Sequence, residues 1–321
     1  MSYRTKFTSI ICLGFCCLLT ACRGEIPFKR PNGVAQAADG SLFVLDFGNH
    51  RIVHLSTNNK ILGTFGRFGL GAEDIYHAYD LAIGPDNNIY FCNFLDNDQG
   101  VFHDGIKVFS ASGRFLRELG SNDYRKDSTD PTYLPYGLDI DSFGRIYTAD
   151  YGMSTVRVFT PEGQSLAQLA LSNDRGEPLR GLDDVAVDER RNLLYATDFD
   201  LSEIHQYRLS FDASGVPTIS YLKTLALYGR DAGQVAFPQY LAVNDQTGMV
   251  YVGDMANRRI QVFDSEGNYV TDFAPPGVND WESMGINIGA DNTILIADAF
   301  NNTIWIFSPD GFYRNRIEIQ P

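Results

Sequence analysis

Cysteine is nearly absent from the body of this chain. Of five cysteines, Cys12, Cys16, Cys17 and Cys22 fall near the start and only Cys92 lies beyond them. With a single cysteine beyond the start, no disulfide can be drawn within the body of the chain, so packing alone must hold it together. Long apolar runs are absent as well. The longest, Phe7 to Leu19, is too short to cross a bilayer comfortably. Basic residues are scarce, 26 against 40 acidic for a net charge of −14, which argues against a nucleic-acid partner because phosphates are repelled. The five histidines, His50, His54, His77, His103 and His205, show no close metal-ligand pairing. His77, near the mouth derived below, is the first to test. No Gly-x-Ser-x-Gly elbow occurs, and "GRFGLG" precedes no phosphate-binding helix. "DNDQG" starts with calcium-loop spacing, but Lys107 stands where the closing Glu is needed. No segment sustains a helical period. What remains, 44% hydrophobic and 13% aromatic, is the composition of a globular protein with a large core.

The first residues stand apart. Arg4 and Lys6 precede the apolar run, which closes in Leu19-Thr20-Ala21-Cys22. This has the form of a signal peptide, and its end resembles the lipobox of bacterial lipoproteins. The resemblance implies cleavage after residue 21, acylation of Cys22, and attachment to a bacterial membrane facing the periplasm or exterior. More than one acyl chain is needed for stable anchoring. The expected division is a signal peptide over 1–21, a tether over 22–30 and a folded domain over 31–321. Removing Arg4 and Lys6 takes the net charge from −14 to −16.

The remainder repeats. "YVGDMANRRIQVFDSEGNYVTDF", Tyr251 to Phe273, has five counterparts, each with an acid or amide ending its second strand: Asp46, Asn93, Asp150, Asp198, Asp254 and Asp298. A period of this length marks a propeller or a solenoid. Short alternating runs rich in β-branched and aromatic residues, separated by turns such as Asp39-Gly40, Glu266-Gly267 and Asp310-Gly311, predict strands. Six copies of four antiparallel strands give an all-β, six-bladed β-propeller, whose closure leaves only short protected edges. Scaffolding accounts for the recurring acid. Cys92, on a strand beside Asn93, is expected to be an inert packed thiol.

The copies resemble the NHL-repeat family, with Asn49/Arg51 and Asn257/Arg259 in place in copies one and five. Copy three has Met153 and Thr155 there, copy four Leu201 and Glu203, and copy six keeps Asn301 but has Thr303.

Loops alternate between the two faces of a blade, and the long irregular segments fall on one face. They include "GRFGLGAEDIYHAYD", "FLDNDQGVFHDG", "GSNDYRKDSTDPTYLPYG", "ALSNDRGEPLRGLDD", "GRDAGQVAFPQY" and "APPGVNDWESM", with 16 acidic and 6 basic residues in all. Such loops carry function on a rigid scaffold. At the channel mouth the ligand-binding candidates are Tyr79, Asp80, Tyr136, Asp183, Asp184 and Tyr240. Converging oxygens of Asp80, Asp139, Asp183, Asp184 and Asn287 suggest a Ca²⁺ site. No catalytic set is recognisable.

Three functions compete. The first is a membrane-anchored propeller of the cell envelope that recognises a protein, peptide or glycan through the acidic, aromatic long-loop face. NHL propellers often act in this way. The second, implied by other six-bladed relatives, is a calcium-dependent hydrolase or lactonase, or a metal-dependent lyase. The lyases need several histidines around zinc, which this chain does not show. The third is a structural part of the envelope.

Overall fold

The computed structural model describes residues 26–94, 101–125 and 133–319. The leader and Cys22 lie outside the described residues, as do 95–100 of the "FLDNDQGVFHDG" insert and 126–132 of "GSNDYRKDSTDPTYLPYG". Six four-stranded antiparallel sheets make a β-propeller. Blade 1 spans 31–65, blade 2 77–125, blade 3 135–170, blade 4 182–226, blade 5 238–273 and blade 6 283–317. Within each, the strands pair in chain order from the channel outward. Apolar side chains of neighbouring sheets interlock into successive clusters, such as Val156, Leu182, Val185 and Tyr207 between blades 3 and 4.

All six blades are continuous in sequence, so the ring closes without exchanging a strand. Closure rests on packing of Val34, Val44 and Val53 against Leu295, Ala297 and Ile304. Phe28 is buried in the same cluster, and the Lys29 amide donates to Asp46. The described part of the segment expected as a short tether, from Ile26 onward, is therefore joined to blade 1.

Two stretches read as irregular loops continue as strands. In blade 2, Val101–Phe109 pairs with Phe115–Arg125 as far as Val101 opposite Arg125. The register shifts between Asp104 and Ile106, and Gly120 takes φ +63. A bulge of this kind increases local twist while pairing continues. The outer hairpin of blade 2 therefore has strands of 9 and 11 residues, against 5 and 5 in blade 1.

Candidate functional site

The recurring acid performs one task in every blade. It accepts the backbone N–H of the residue that leads into the inner strand: Lys29 to Asp46, Tyr76 to Asn93, Leu134 to Asp150, Arg180 to Asp198, Ala236 to Asp254 and Glu282 to Asp298. In blades 1, 3, 5 and 6 the other oxygen takes side-chain donors from the same blade. Asp254 receives Asn257, Arg259 and Gln261, while Asp298 receives Asn301 and the Trp305 indole. These acids are scaffold. Cys92 is fully buried, and burial pushes its thiol well up, so it stays protonated and unreactive.

A second set of acids stitches blade to blade at the channel. One oxygen of Asp80 accepts its own neighbour, Leu81 N–H, and the other accepts Leu138 N–H of blade 3 at 2.9 Å. Asp139 does the same with Ile140 and Val187 of blade 4, and Asp184 with Val185 and Leu241 of blade 5. Asn287 accepts the Gln36 N–H of blade 1 across the ring closure at 3.4 Å. Gly137 makes room for one stitch, since a Cβ there would lie 2.0 Å from Asp184 Oδ1. Burial raises Asp80 to about 6 and Asp139 to about 7 against the pull of their amide donors. It raises Asp184 well above the usual range, with the Asp80 charge adding to the effect.

Below these stitches lies a channel cavity of about 170 Å³, lined in part by Asp80, Asp139 and Asn287. Tyr240 closes it toward the long-loop face. The ring is 5% exposed, and its hydroxyl reaches from blade 5 to the Tyr79 carbonyl of blade 2, 3.4 Å away on the opposite side. The five residues put forward as calcium ligands do not gather about one point. Asp80, Asp139, Asp184 and Asn287 each belong to a separate blade boundary, and Asp183 stands above with the tyrosines. Among the described residues, no three His, Cys, Asp or Glu side chains are placed to hold one metal ion.

Above the plug the mouth is aromatic. Tyr79 stacks on Tyr136 with centroids 4.6 Å apart, and Tyr136 on Tyr151 at 4.9 Å. On the other side of Tyr79 stand Phe47, at 6.1 Å, and His77, which stacks on Phe47 at 5.4 Å. Phe199 and Phe237 face each other at 5.2 Å in blades 4 and 5, and Phe300 of blade 6 is 64% exposed. Five of these rings, Phe47, Tyr151, Phe199, Phe237 and Phe300, were missed in the sequence, although a signal for three of them was present. The residue following the recurring acid is Phe47, Phe94, Tyr151 and Phe199 in blades 1 to 4. The turn between the second and third strands therefore crowns the mouth with half-buried rings.

Asp183 sits among them, 7% exposed. Unlike the stitching acids, it has no backbone amide as a partner; its polar neighbour is the Gln239 side chain. Burial first, and then repulsion from Asp200 and Asp80, raise it to about 8. Of the six mouth candidates, the structure groups Tyr79, Tyr136 and the buried Asp183 at the mouth. Asp80, Asp184 and Tyr240 lie beneath as stitches and plug.

Comparison with known proteins agrees with this architecture. Residues 28–55 match the family model of the NHL repeat. NHL repeat-containing protein 3 of Homo sapiens is 24% identical over 265 residues, covering 76% of this chain and 69% of that protein. Protein brain tumor of Drosophila melanogaster is 23% identical over 148 residues, 46% of this chain but only 13% of that protein. Among solved structures, a streptogramin B lyase superposes with a TM-score of 0.57 at 17% identity over 92% of this chain and 85% of that one. A chain of a nidogen/laminin complex does so with 0.55 at 15% identity, over 84% and 86%. At these identities the structural likeness is one of fold. The chain is a six-bladed β-propeller, and its first blade matches the NHL repeat.

Proposed function

We propose that this chain is a binding propeller of the bacterial cell envelope, held to the membrane by acyl chains on Cys22, which takes a protein or peptide ligand on its long-loop face. The observation that carries the reading is the crown of half-buried rings on that face, Phe47, Tyr79, Tyr136, Tyr151 and Phe199, above a channel that Tyr240 closes. Rigid aromatic side chains supply large contact area at low entropic cost and dominate protein interfaces. A neighbour of the same fold was solved in a nidogen/laminin complex, which supports such a use of the scaffold.

The test is a peptide-display library panned against the purified full chain. Peptides that bind wild type and lose at least tenfold in affinity on Tyr136→Ala or Tyr151→Ala are expected. Peptides indifferent to both changes would place binding elsewhere and sink the reading. The anchor is tested by Cys22→Ser, which should abolish acylation seen by mass spectrometry and release the chain from membranes.

A second reading, a hydrolase or lyase, draws on Asp183. A carboxyl held near 8 beside tyrosines has the protonation of a general acid at neutral pH. Calcium dependence is its cheapest discriminator. An ion bound only by the folded state raises the melting temperature, so equal transitions in calcium and in chelator would remove a calcium-dependent enzyme from consideration.

A further inference from the structure

The groups at the mouth share a chemical bias. Asp183 is buried and the Asp200 carboxylate beside it is exposed. Gln239 Oε1 is buried with no hydrogen-bond partner. The charges acting on Asp183 are those of Asp200 and Asp80, and no basic side chain is among them. Tyr151 lies in the field of the same acids, Asp200 and Asp183, and stacks on Tyr136. Elsewhere in this protein the buried acids are matched to donors: Asp46 to Arg51, Asp150 to Arg157, Asp254 to Arg259 and Asp188 to Arg191. Here carboxyl and amide oxygens, with aromatic faces beside them, meet no cation among the described residues. A guanidinium or ammonium supplies what is missing. It donates several hydrogen bonds at once, carries the opposite charge, and is attracted to an aromatic face. Its strongest bonds are those to ionised oxygens.

We propose that the mouth cluster of Asp183, Asp200, Gln239 and Tyr151 receives a cationic side chain, arginine or lysine, presented by a peptide partner. This deepens the peptide-binding reading and rests on it. The cation lies against the Tyr151 ring, displaces the proton of Asp183 to solvent, donates to the resulting carboxylate and to Gln239 Oε1, and has Asp200 as its outer counter-charge. Anionic ligands are refused at the same point by the two acids.

The experiment uses the purified full chain and labelled penta-arginine, with penta-citrulline as the neutral isostere and chitohexaose as a glycan. Penta-arginine is expected to bind at least tenfold more tightly than penta-citrulline, and more weakly as salt rises. Asp183→Asn and Asp200→Asn should each weaken it several-fold. Asp174→Asn and Glu177→Gln, on the blade 3–4 linker of the same face, should leave it within twofold. Asp200 is exposed, so its variant reports even where Asp183→Asn perturbs folding. Equal binding of arginine and citrulline peptides would overturn the proposal, and so would equal losses from the remote acids. Library peptides that need Tyr151 but carry no basic residue would overturn it and leave the binding reading standing. Binding of chitohexaose with no binding of any peptide would overturn both.

Discussion

Asp254→Ala removes the acceptor of four donors at once, from Ala236, Asn257, Arg259 and Gln261. Breaking a buried charge pair typically costs about 3–5 kcal/mol, and a loss of that size is expected in denaturant melts. Gly137→Ala should also destabilise, by roughly 1–3 kcal/mol, because the new methyl would meet Asp184 Oδ1. The channel acids give a pH signature. Asp80, Asp139 and Asp183 are raised in the folded state, to about 6, 7 and 8. The folded chain therefore holds protons that the unfolded chain has released, and stability falls as pH rises through these values. His205, lowered to about 4 by burial, acts oppositely, but only below its ordinary value of 6.5. Between pH 6.5 and pH 8.5 the acids should dominate and the melting temperature should drop. Asp183→Asn should flatten the upper part of that drop. A transition temperature that climbs across the window would contradict the assignment.

At the scale of elements, the turn between the second and third strands adopts one backbone shape in most blades. His50, Ser154, Ser202, Arg258 and Asn302 occupy the same position with φ between 51° and 56°. The left-handed region disfavours side chains by about 1–2 kcal/mol. Ser154→Gly should therefore stabilise, by up to about 1 kcal/mol after glycine's own entropic cost. Ser202 is a poorer choice, because its hydroxyl accepts the Phe237 N–H. The linker over 66–76 has its own anchor. Lys107, 2% exposed, sends its ammonium to the carbonyls of Gly71 and Asp74. The lysine that spoils a calcium-loop reading of "DNDQG" thus holds the loop carrying Phe68 and Tyr76. Lys107→Met leaves those carbonyls without a donor, at about 1–3 kcal/mol. Faster trypsin cleavage after the exposed Arg67 is the expected readout.

For the whole molecule, closure without strand exchange makes blades 1 and 6 mutually dependent. Each cluster spans two neighbouring sheets, so an open ring exposes two apolar faces. Deleting residues from Met284 onward should abolish the single cooperative transition. A sharp melt near the wild-type temperature would rule that out. The chain enters on the long-loop face, where the Arg51 guanidinium meets the Ile26 carbonyl and Asn49 the Pro27 carbonyl. From Cys22 to Ile26 an extended chain reaches at most roughly 14 Å. Acylation of Cys22 would hold the aromatic mouth toward the bilayer and limit its ligands to those near the membrane. Spin-labelled lipid should then quench a fluorophore at Phe68→Cys more strongly than one at Phe312→Cys, on the opposite face. Equal quenching would contradict this orientation.

Residue order alone determined the six copies, the four strands of each and the scaffold acid that ends each second strand. Alternation and turn chemistry are local, and a repeat displays them six times. The aromatic crown was also legible, in the residue after each acid, once its position on the mouth was known. Tertiary structure decided what the channel oxygens do. Asp80 and Leu138, Asp184 and Leu241, and Tyr240 and Tyr79 are 58, 57 and 161 residues apart. Whether a carboxylate ligates an ion, stitches two blades or waits for a ligand depends on which donors the ring brings to it. Asp183 and Asp184 are neighbours in sequence, but the strand's register shifts between Leu182 and Val185 and the two side chains find different surroundings. One therefore meets a backbone amide of the next blade, and the other meets the aromatic mouth.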